Sequence, residues 1–262
     1  MKFGICNLSV VPVRLEPSDK SQMTTQLLFG ELFKITETYN NWCKIIINYD
    51  DYEGWIDNKQ FLPLSEDTYN KINSSSKNIT IDLVHDLTDI TQNIVFPIVL
   101  ASSLPHIVNN SFYINNSKFV YDGHIITDVS KTDKKLREKI VEYAYKYQNA
   151  PYLWGGKTPF GIDCSGFTQM VYKMAGIKLL RDAKKQTTQG KTISFLSEAK
   201  QGDIAFFDNE ENEIIHVGIL LKDNKIIHAS GKVHIDIIDH QGIYNADTKK
   251  YSHKLRIIKR VI

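Results

Sequence analysis

Cysteine is scarce in this chain. Cys6, Cys43 and Cys164 are the only three in 262 residues, far apart and odd in number. They make no CxxC pair and no disulfide framework, which excludes a disulfide-stapled scaffold. Long apolar runs are absent too: no window approaches the ~20 residues of a membrane span. The opening Met1-Lys2-Phe3-Gly4-Ile5-Cys6-Asn7 lacks the roughly 7–15-residue apolar stretch of a secretory leader. A reducing, cytoplasmic location is the expectation. Charge of one sign is also missing. A net charge of +2, without a basic helix or an aromatic-interleaved Lys/Arg patch, argues against nucleic-acid and membrane partners.

What is present suits two or three small domains. Residues 1–64 carry short apolar alternations at 8–13, 26–28, 31–38, 42–47 and 54–56. Turn formers separate them, among them Pro17-Ser18-Asp19, Tyr39-Asn40-Asn41 and Tyr49-Asp50-Asp51, so a small β-barrel is predicted. Cys6, Cys43, Trp42 and Trp55 are assigned to its interior, and Tyr52 to the mouth of a loop, within reach of a ligand. The phrases Leu27-Leu28-Phe29-Gly30-Glu31, Asn41-Trp42-Cys43 and Tyr52-Glu53-Gly54-Trp55-Ile56 resemble bacterial SH3-like domains. A polar stretch over 65–78, including Asn73-Ser74-Ser75-Ser76, reads as a linker. Alternations at 95–101, 111–114, 118–121 and 124–128 then suggest a second, degenerate SH3-like barrel, giving a middle region of 65–130. His85, His106 and His124 lie there without neighbours at metal-ligand spacing, as surface or turn histidines.

From Thr132 the period turns helical. Leu136, Ile140, Tyr143, Ala144 and Tyr147 share one face, with Asp133 as the predicted N-cap and Pro151 beyond the end. A glycine-punctuated loop then leads into Asp163-Cys164-Ser165-Gly166 and a second helix ending near Gly176. This places a thiol on the first turn of a helix, where amides and macrodipole favour thiolate, so a pKa below the ~8.5 reference is expected. A turn at Gly202-Asp203 enters a buried strand, and strands over 214–221, 225–230 and the charge-alternating 254–260 follow. Helices followed by antiparallel strands make residues 131–262 an α+β domain.

A cysteine nucleophile needs a base, and the base needs a group that holds its ring. His216 and His228 stand in two neighbouring strands, twelve positions apart. An odd-length loop near Lys222 sets them opposite each other on one sheet face; a two-residue Asp223-Asn224 turn sets them on opposite faces. The assignment of Cys164 as nucleophile, His216 as general base and then acid, and His228 as orienting ring therefore predicts a three- or five-residue loop. A zinc site built from the same three residues lacks a fourth ligand. No metal or cofactor is expected. Trp154 reads as loop packing before contact with the dipeptide stem, and Asp182 with Arg181 as a surface ion pair before a ligand contact.

Four motifs in order, Tyr152-Leu153-Trp154-Gly155-Gly156 with Asp163-Cys164-Ser165-Gly166-Phe167, then Gly202-Asp203-Ile204, His216-Val217-Gly218 and His228-Ala229-Ser230, resemble the NlpC-type cell-wall cysteine peptidases. The resemblance implies a papain-like α+β domain with a Cys164–His216–His228 triad, preceded by the two SH3-like barrels. It makes Tyr152 an active-site phenol that helps bind the oxyanion. Together with the N-terminal barrel, it is similar to the γ-D-glutamyl-L-diamino acid endopeptidases, which act on short murein peptides with a free N-terminal L-alanine in peptide recycling. By that likeness Tyr52 and Asp182 receive the alanine ammonium, while Asp163 and Ser165 line the cleft beside the nucleophile. Where a glutamate is expected before Thr25-Gln26, this chain has Gln22, which accepts a hydrogen bond from an ammonium without neutralising it. A monomer with a small peptide substrate is the expectation. Hydrolysis of polymeric peptidoglycan, with the barrels as wall anchors, and a non-catalytic peptide-binding role are the alternatives.

Overall fold

The computed structural model describes residues 2–76, 78–127, 135–245 and 248–262. The chain divides into two compact units, 1–129 and 130–262. Both are mostly β with few helices.

In the first unit, β1 (Lys2–Ile5), β2 (Val10–Arg14), β3 (Met23–Leu28), β4 (Leu32–Tyr39), β5 (Trp42–Ile47), β6 (Glu53–Asp57) and β7 (Leu62–Leu64) form one sheet in the order β3-β2-β6-β5-β4-β1-β7. Strand alternation decides its core. Cys43, Ile45 and Ile47 of β5 and Ile56 of β6 point inward against Cys6, Val11, Val13, Leu27 and Phe33. Trp42 and Trp55 occupy the intervening positions, on the face where Lys44 pairs with Trp55, and both are only half-buried. Their assignment to the barrel interior is therefore corrected: aliphatic and thiol side chains, with Phe33, fill it.

The stretch assigned to a linker holds a helix, α1 (Glu66–Ser74). Ser65 caps it by accepting from the Thr68 N–H, Glu66 and Asp67 lie in the first turn, and Tyr69 is buried. Beyond it come β8 (Asn78–Thr80), β9 (Val84–Asp89), β10 (Ile94–Val99), β11 (Ser103–Leu104), β12 (Ser111–Ile114), β13 (Ser117–Val120) and β14 (Ile125–Thr127). They make a four-stranded sheet, β10-β9-β13-β12, and a three-stranded one, β11-β8-β14. The expectation of a second SH3-like barrel is met only in β content. Phe29 from the first barrel packs edge-on against Phe112 and Phe119, within one cluster that also takes in Phe3, Leu64, Tyr69 and Leu87. The small sheets thus share a core with the barrel. His85 and His124 bond Asp122 and Asp82 at the surface.

The second unit begins, among the described residues, at α2 (Leu136–Tyr145), whose buried face is Leu136, Ile140, Tyr143 and Ala144. Asp133, the predicted cap, lies outside the described residues. The short β15 (Lys157–Thr158) and β16 (Gly161–Ile162) pair in the loop before α3 (Cys164–Met174), and the one-turn α4 (Ala183–Gln186) comes after it. A seven-stranded antiparallel sheet follows from β17 (Lys191–Ile193), β18 (Ile204–Asp208), β19 (Ile214–Leu220), β20 (Lys225–Ser230), β21 (Lys232–Ile238), β22 (Gly242–Asn245) and β23 (Lys250–Arg260), in the order β17-β23-β18-β19-β20-β21-β22. The helix α3 is buried along its whole length and packs on β19 and β20. Asp203, read from sequence as a turn former, is fully buried and joins three segments. It pairs with Arg137 of α2 at 3.1 Å and Arg260 of β23 at 2.6 Å, and its carboxylate accepts from the Lys200 N–H. No helix among the described residues is long and apolar enough to cross a membrane.

Candidate active site

Cys164 is the first residue of α3, and Asp163 is its N-cap. One Asp163 oxygen accepts from the Gly166 N–H at 2.7 Å, and the other from the Gly155 N–H at 2.8 Å, tying the glycine loop to the helix start. The approach is so close that a Cβ on Gly166 would lie 2.3 Å from the Gly156 carbonyl oxygen. Arg181 completes the cap. Its Nη1 and Nη2 donate to the two Asp163 oxygens at 3.0 and 2.6 Å, and Nη1 also donates to Ser165 Oγ at 2.9 Å. Arg181 is buried at 2% exposure, so this is a bidentate ion pair shielded from water. The hydroxyl of Ser165 donates onward to Asp163, and Gln186 of α4 donates to the Ser165 carbonyl.

Burial pushes the Cys164 thiol up to about 12, with the Asp163 charge adding to the effect. The backbone N–H groups of Val217 and Ser165 and the Arg181 charge pull the other way and do not overcome it. The expected lowered pKa is thus corrected. Removing the sulfur from water costs more than the helix start returns. The resting group is a thiol whose sulfur meets the Val217 N–H, one residue from His216.

The histidines lie on one face of the sheet. β19 and β20 are joined by a three-residue loop, 222–224, closed by the Leu221 N–H donating to the Lys225 carbonyl, with Asp223 and Asn224 left-handed. Loop length and face agree with the sequence expectation, but the register is shifted by two residues. His228 stands opposite Gly218, so His216 is its diagonal neighbour. The rings still meet, with His216 Nε2 and His228 Nδ1 2.9 Å apart. His228 Nε2 lies 3.3 Å from Asp236 Oδ2, and His234 Nε2 3.1 Å from the same oxygen.

This geometry fixes the protons. A carboxylate only accepts, so His228 carries its hydrogen on Nε2 and accepts on Nδ1 from His216 Nε2–H. His216 is left with a lone pair on Nδ1. Burial and the neighbouring rings lower the pKa of His216 well below the usual histidine range, and burial lowers that of His228. His253 of β23 stacks on His216 with centroids 4.1 Å apart, and burial pushes its own pKa down to about 4. A neutral, oriented imidazole, one residue from the amide that meets a protonated thiol, can serve as a general base without a preformed ion pair.

Residues 149–254 match the NlpC/P60 family, and residues 13–61 match the bacterial dipeptidyl-peptidase SH3 domain. The chain carries an NlpC/P60 domain and a bacterial SH3 domain. It is 28% identical to the gamma-D-glutamyl-L-lysine dipeptidyl-peptidase of Bacillus subtilis (strain 168), over 87% of this chain and 75% of that one. With the protein of the same name from Bacillus cereus the identity is 23%, over 81% and 68%. The fold matches the crystal structure of an NlpC/P60 family protein from Bacillus cereus ATCC 10987, with a TM-score of 0.82, 18% identity and 99% of each chain covered.

Within the NlpC/P60 domain the other expected residues fall into two groups. Tyr152 is half-buried, and burial followed by the Cys164 and Asp163 charges pushes its phenol up to about 12, which keeps the hydroxyl a donor beside the sulfur. Trp154 is exposed in the same loop, free of core packing. Asp163 and Ser165, expected to line the cleft, spend their side chains on Arg181, which holds the start of α3 in place. The expected Arg181–Asp182 surface pair does not form. Arg181 turns inward, while Asp182 stays partly exposed and pairs with Lys185 at 3.3 Å. In the SH3 domain, Tyr52 packs against the barrel core and its N–H bonds Asp50, and Gln22 is exposed. Sequence reasoning missed Asp236, His234 and His253. The His234-x-Asp236 alternation in an apolar segment was the available signal for the first two.

Proposed function

We propose that the chain is a cysteine endopeptidase that hydrolyses the γ-D-glutamyl–diamino acid bond of short murein peptides with a free N-terminal L-alanine. It acts as a cytoplasmic monomer in cell-wall peptide recycling, without a cofactor. One observation carries the catalytic part: His216 is held by His228 at 2.9 Å with its other nitrogen free, next to the Val217 N–H that meets the Cys164 sulfur. The names of the two relatives support the bond class.

In this reading Cys164 attacks the γ-carbonyl of D-glutamate as its proton passes to His216 Nδ1. The carbonyl oxygen takes up the negative charge against the Cys164 backbone N–H and the Tyr152 hydroxyl. Collapse breaks the C–N bond, and His216 returns the proton to the departing diamino-acid amine, leaving a thioester. Water, deprotonated by the same nitrogen, releases the Ala-Glu dipeptide and the thiol. Trp154 offers an exposed ring to the substrate. By the resemblance alone, Tyr52, Asp182 and Gln22 are the candidates for recognising the ammonium.

The test is incubation with L-Ala-γ-D-Glu-diaminopimelate, its lysine analogue and both N-acetylated forms, with products read by mass spectrometry. Release of the diamino acid from the free-amine peptides, and its loss in Cys164→Ala, is the expected result. Cleavage of acetylated and free peptides at equal rates removes the ammonium assignment. Release from intact peptidoglycan alone assigns the polymer as substrate, and activity retained in Cys164→Ala rules out the cysteine mechanism.

A further inference from the structure

The relay ends in a group that the peptidase chemistry leaves over. His234 and Asp236 lie two apart on one face of β21, and His228 is the direct cross-strand partner of His234. A His-x-Asp pair on one strand and a histidine opposite it converge three ligand atoms, His228 Nε2, His234 Nε2 and one Asp236 oxygen, all within 4.8 Å of one another. Two of the separations, 3.1 and 3.3 Å, match the edge of a tetrahedron around a zinc-sized ion, roughly 3.3 Å for bonds of about 2.0–2.1 Å.

The outer partners fit as well. A metal-binding imidazole needs its second nitrogen held by an acceptor or a further ring. His234 Nδ1 donates to the Lys232 carbonyl at 2.8 Å, which leaves Nε2 as the ligand atom. His228 Nδ1 is held by His216. His228 is buried, while the His234 side chain keeps 24% exposure and opens the cluster to solvent. Two imidazole nitrogens, one carboxylate and an open fourth position are a donor set for zinc or cobalt.

We propose that this cluster is an inhibitory site for a divalent transition metal, zinc in particular, and that occupancy switches the peptidase off by reversing its tautomers. A neutral His228 that gives the Nε2 lone pair to a metal must carry its proton on Nδ1. That N–H then donates to His216 Nε2, so His216 carries its own proton on Nδ1. Each ring keeps one proton on the opposite nitrogen, and the base facing Cys164 loses its lone pair. The inhibitory consequence rests on the cysteine-peptidase reading, whereas metal binding stands apart from it.

The experiment separates the two. Full-length Cys164→Ala protein, freed of metal with a chelator, is titrated with Co2+ and then Zn2+. One Co2+ per chain with four-coordinate absorption and no thiolate charge-transfer band, displaced by Zn2+ and abolished by adding His234→Ala, is the expected result. If the His234→Ala chain does not fold, the Cys164→Ala titration decides by itself. No stoichiometric Co2+ binding to Cys164→Ala overturns the site. In the activity arm, Zn2+ in small excess lowers wild-type turnover by about 10²-fold, the usual worth of a general base, and a chelator restores it. The ratio of turnover without and with zinc in His234→Ala falls to near one. An unchanged ratio places the inhibitory metal on Cys164 and His216, and overturns the switch.

Discussion

His216 and His228 share a 2.9 Å hydrogen bond although they are not cross-strand partners; the residue facing His228 is Gly218. The missing side chain at Gly218 leaves room for one ring to lean across to the other. A Cβ there would lie 2.9 Å from His228 Cβ and 2.7 Å from Ile226 Cδ1. Gly218→Ala should therefore displace His228 and lower kcat by about tenfold or more, because misplacements near 1 Å can cost about 10²-fold. Steady-state kinetics with a change in kcat larger than in KM, and an intact circular dichroism spectrum, is the expected result. Wild-type kcat would show that the two rings tolerate a side chain between them.

Asp236 sets the tautomer of both rings; burial lowers the His228 pKa, and the Asp236 hydrogen bond and charge offset part of that lowering. Asp236→Asn keeps an acceptor in one amide orientation but loses the charge, so kcat should fall by about 10–100-fold, as for other residues that orient an imidazole. Asp236→Leu, which cannot accept at all, should fall further. Thermal melting gives the control: loss of kcat that tracks loss of Tm across both variants would make Asp236 merely structural.

The protonation states imply an unusual pH response. Burial holds the His216 pKa below the ordinary range, so its neutral, basic form persists as pH falls through 6.5, and activity is lost only further down. Burial raises the Cys164 pKa, so the thiol should not ionise near 8.5. Iodoacetamide alkylation of Cys164 should then climb with pH through 9 without a plateau. A plateau already present in mild acid would reveal a thiolate–imidazolium pair and contradict the general-base assignment.

Arg181 and Asp163 form a buried ion pair. Arg181→Met leaves a carboxylate at 5% exposure with no counter-ion, a change that typically costs about 3–5 kcal/mol. Arg181→Lys cannot reproduce the two parallel bonds and should recover only part of that loss. Urea unfolding followed by fluorescence measures both variants. Wild-type stability in Arg181→Met would mean that the glycine loop stands without its clamp.

Cys164, His216 and His228 could be singled out because each carries a local signal. Cys164 follows a capping aspartate at the start of an apolar helical period, and His216 and His228 share strand parity across a short turn. Asp236 was not legible by the same route. Its role exists only once β21 is paired with β20 in the register that sets His234 against His228, and turn geometry beyond Ser230 decides that. Arg181 gave no local sign of burial, since Leu180-Arg181-Asp182 reads equally well with either charge facing solvent. Trp42 and Trp55 misled for a simpler reason. Size suggested the interior, and strand alternation overruled size. The linker reading of 65–78 failed on Ser65, a helix cap that composition counts as a loop residue.

Asp163 and Arg181 stand eighteen positions apart in the chain, yet neither can be exchanged by itself without stranding the other's charge away from water. The two should therefore be inherited as one character. A lineage in which Arg181 drifts should lose the ordered glycine loop while Cys164, His216 and His228 remain unaltered. Such chains would keep every residue by which an enzyme of this kind is recognised and still be inert.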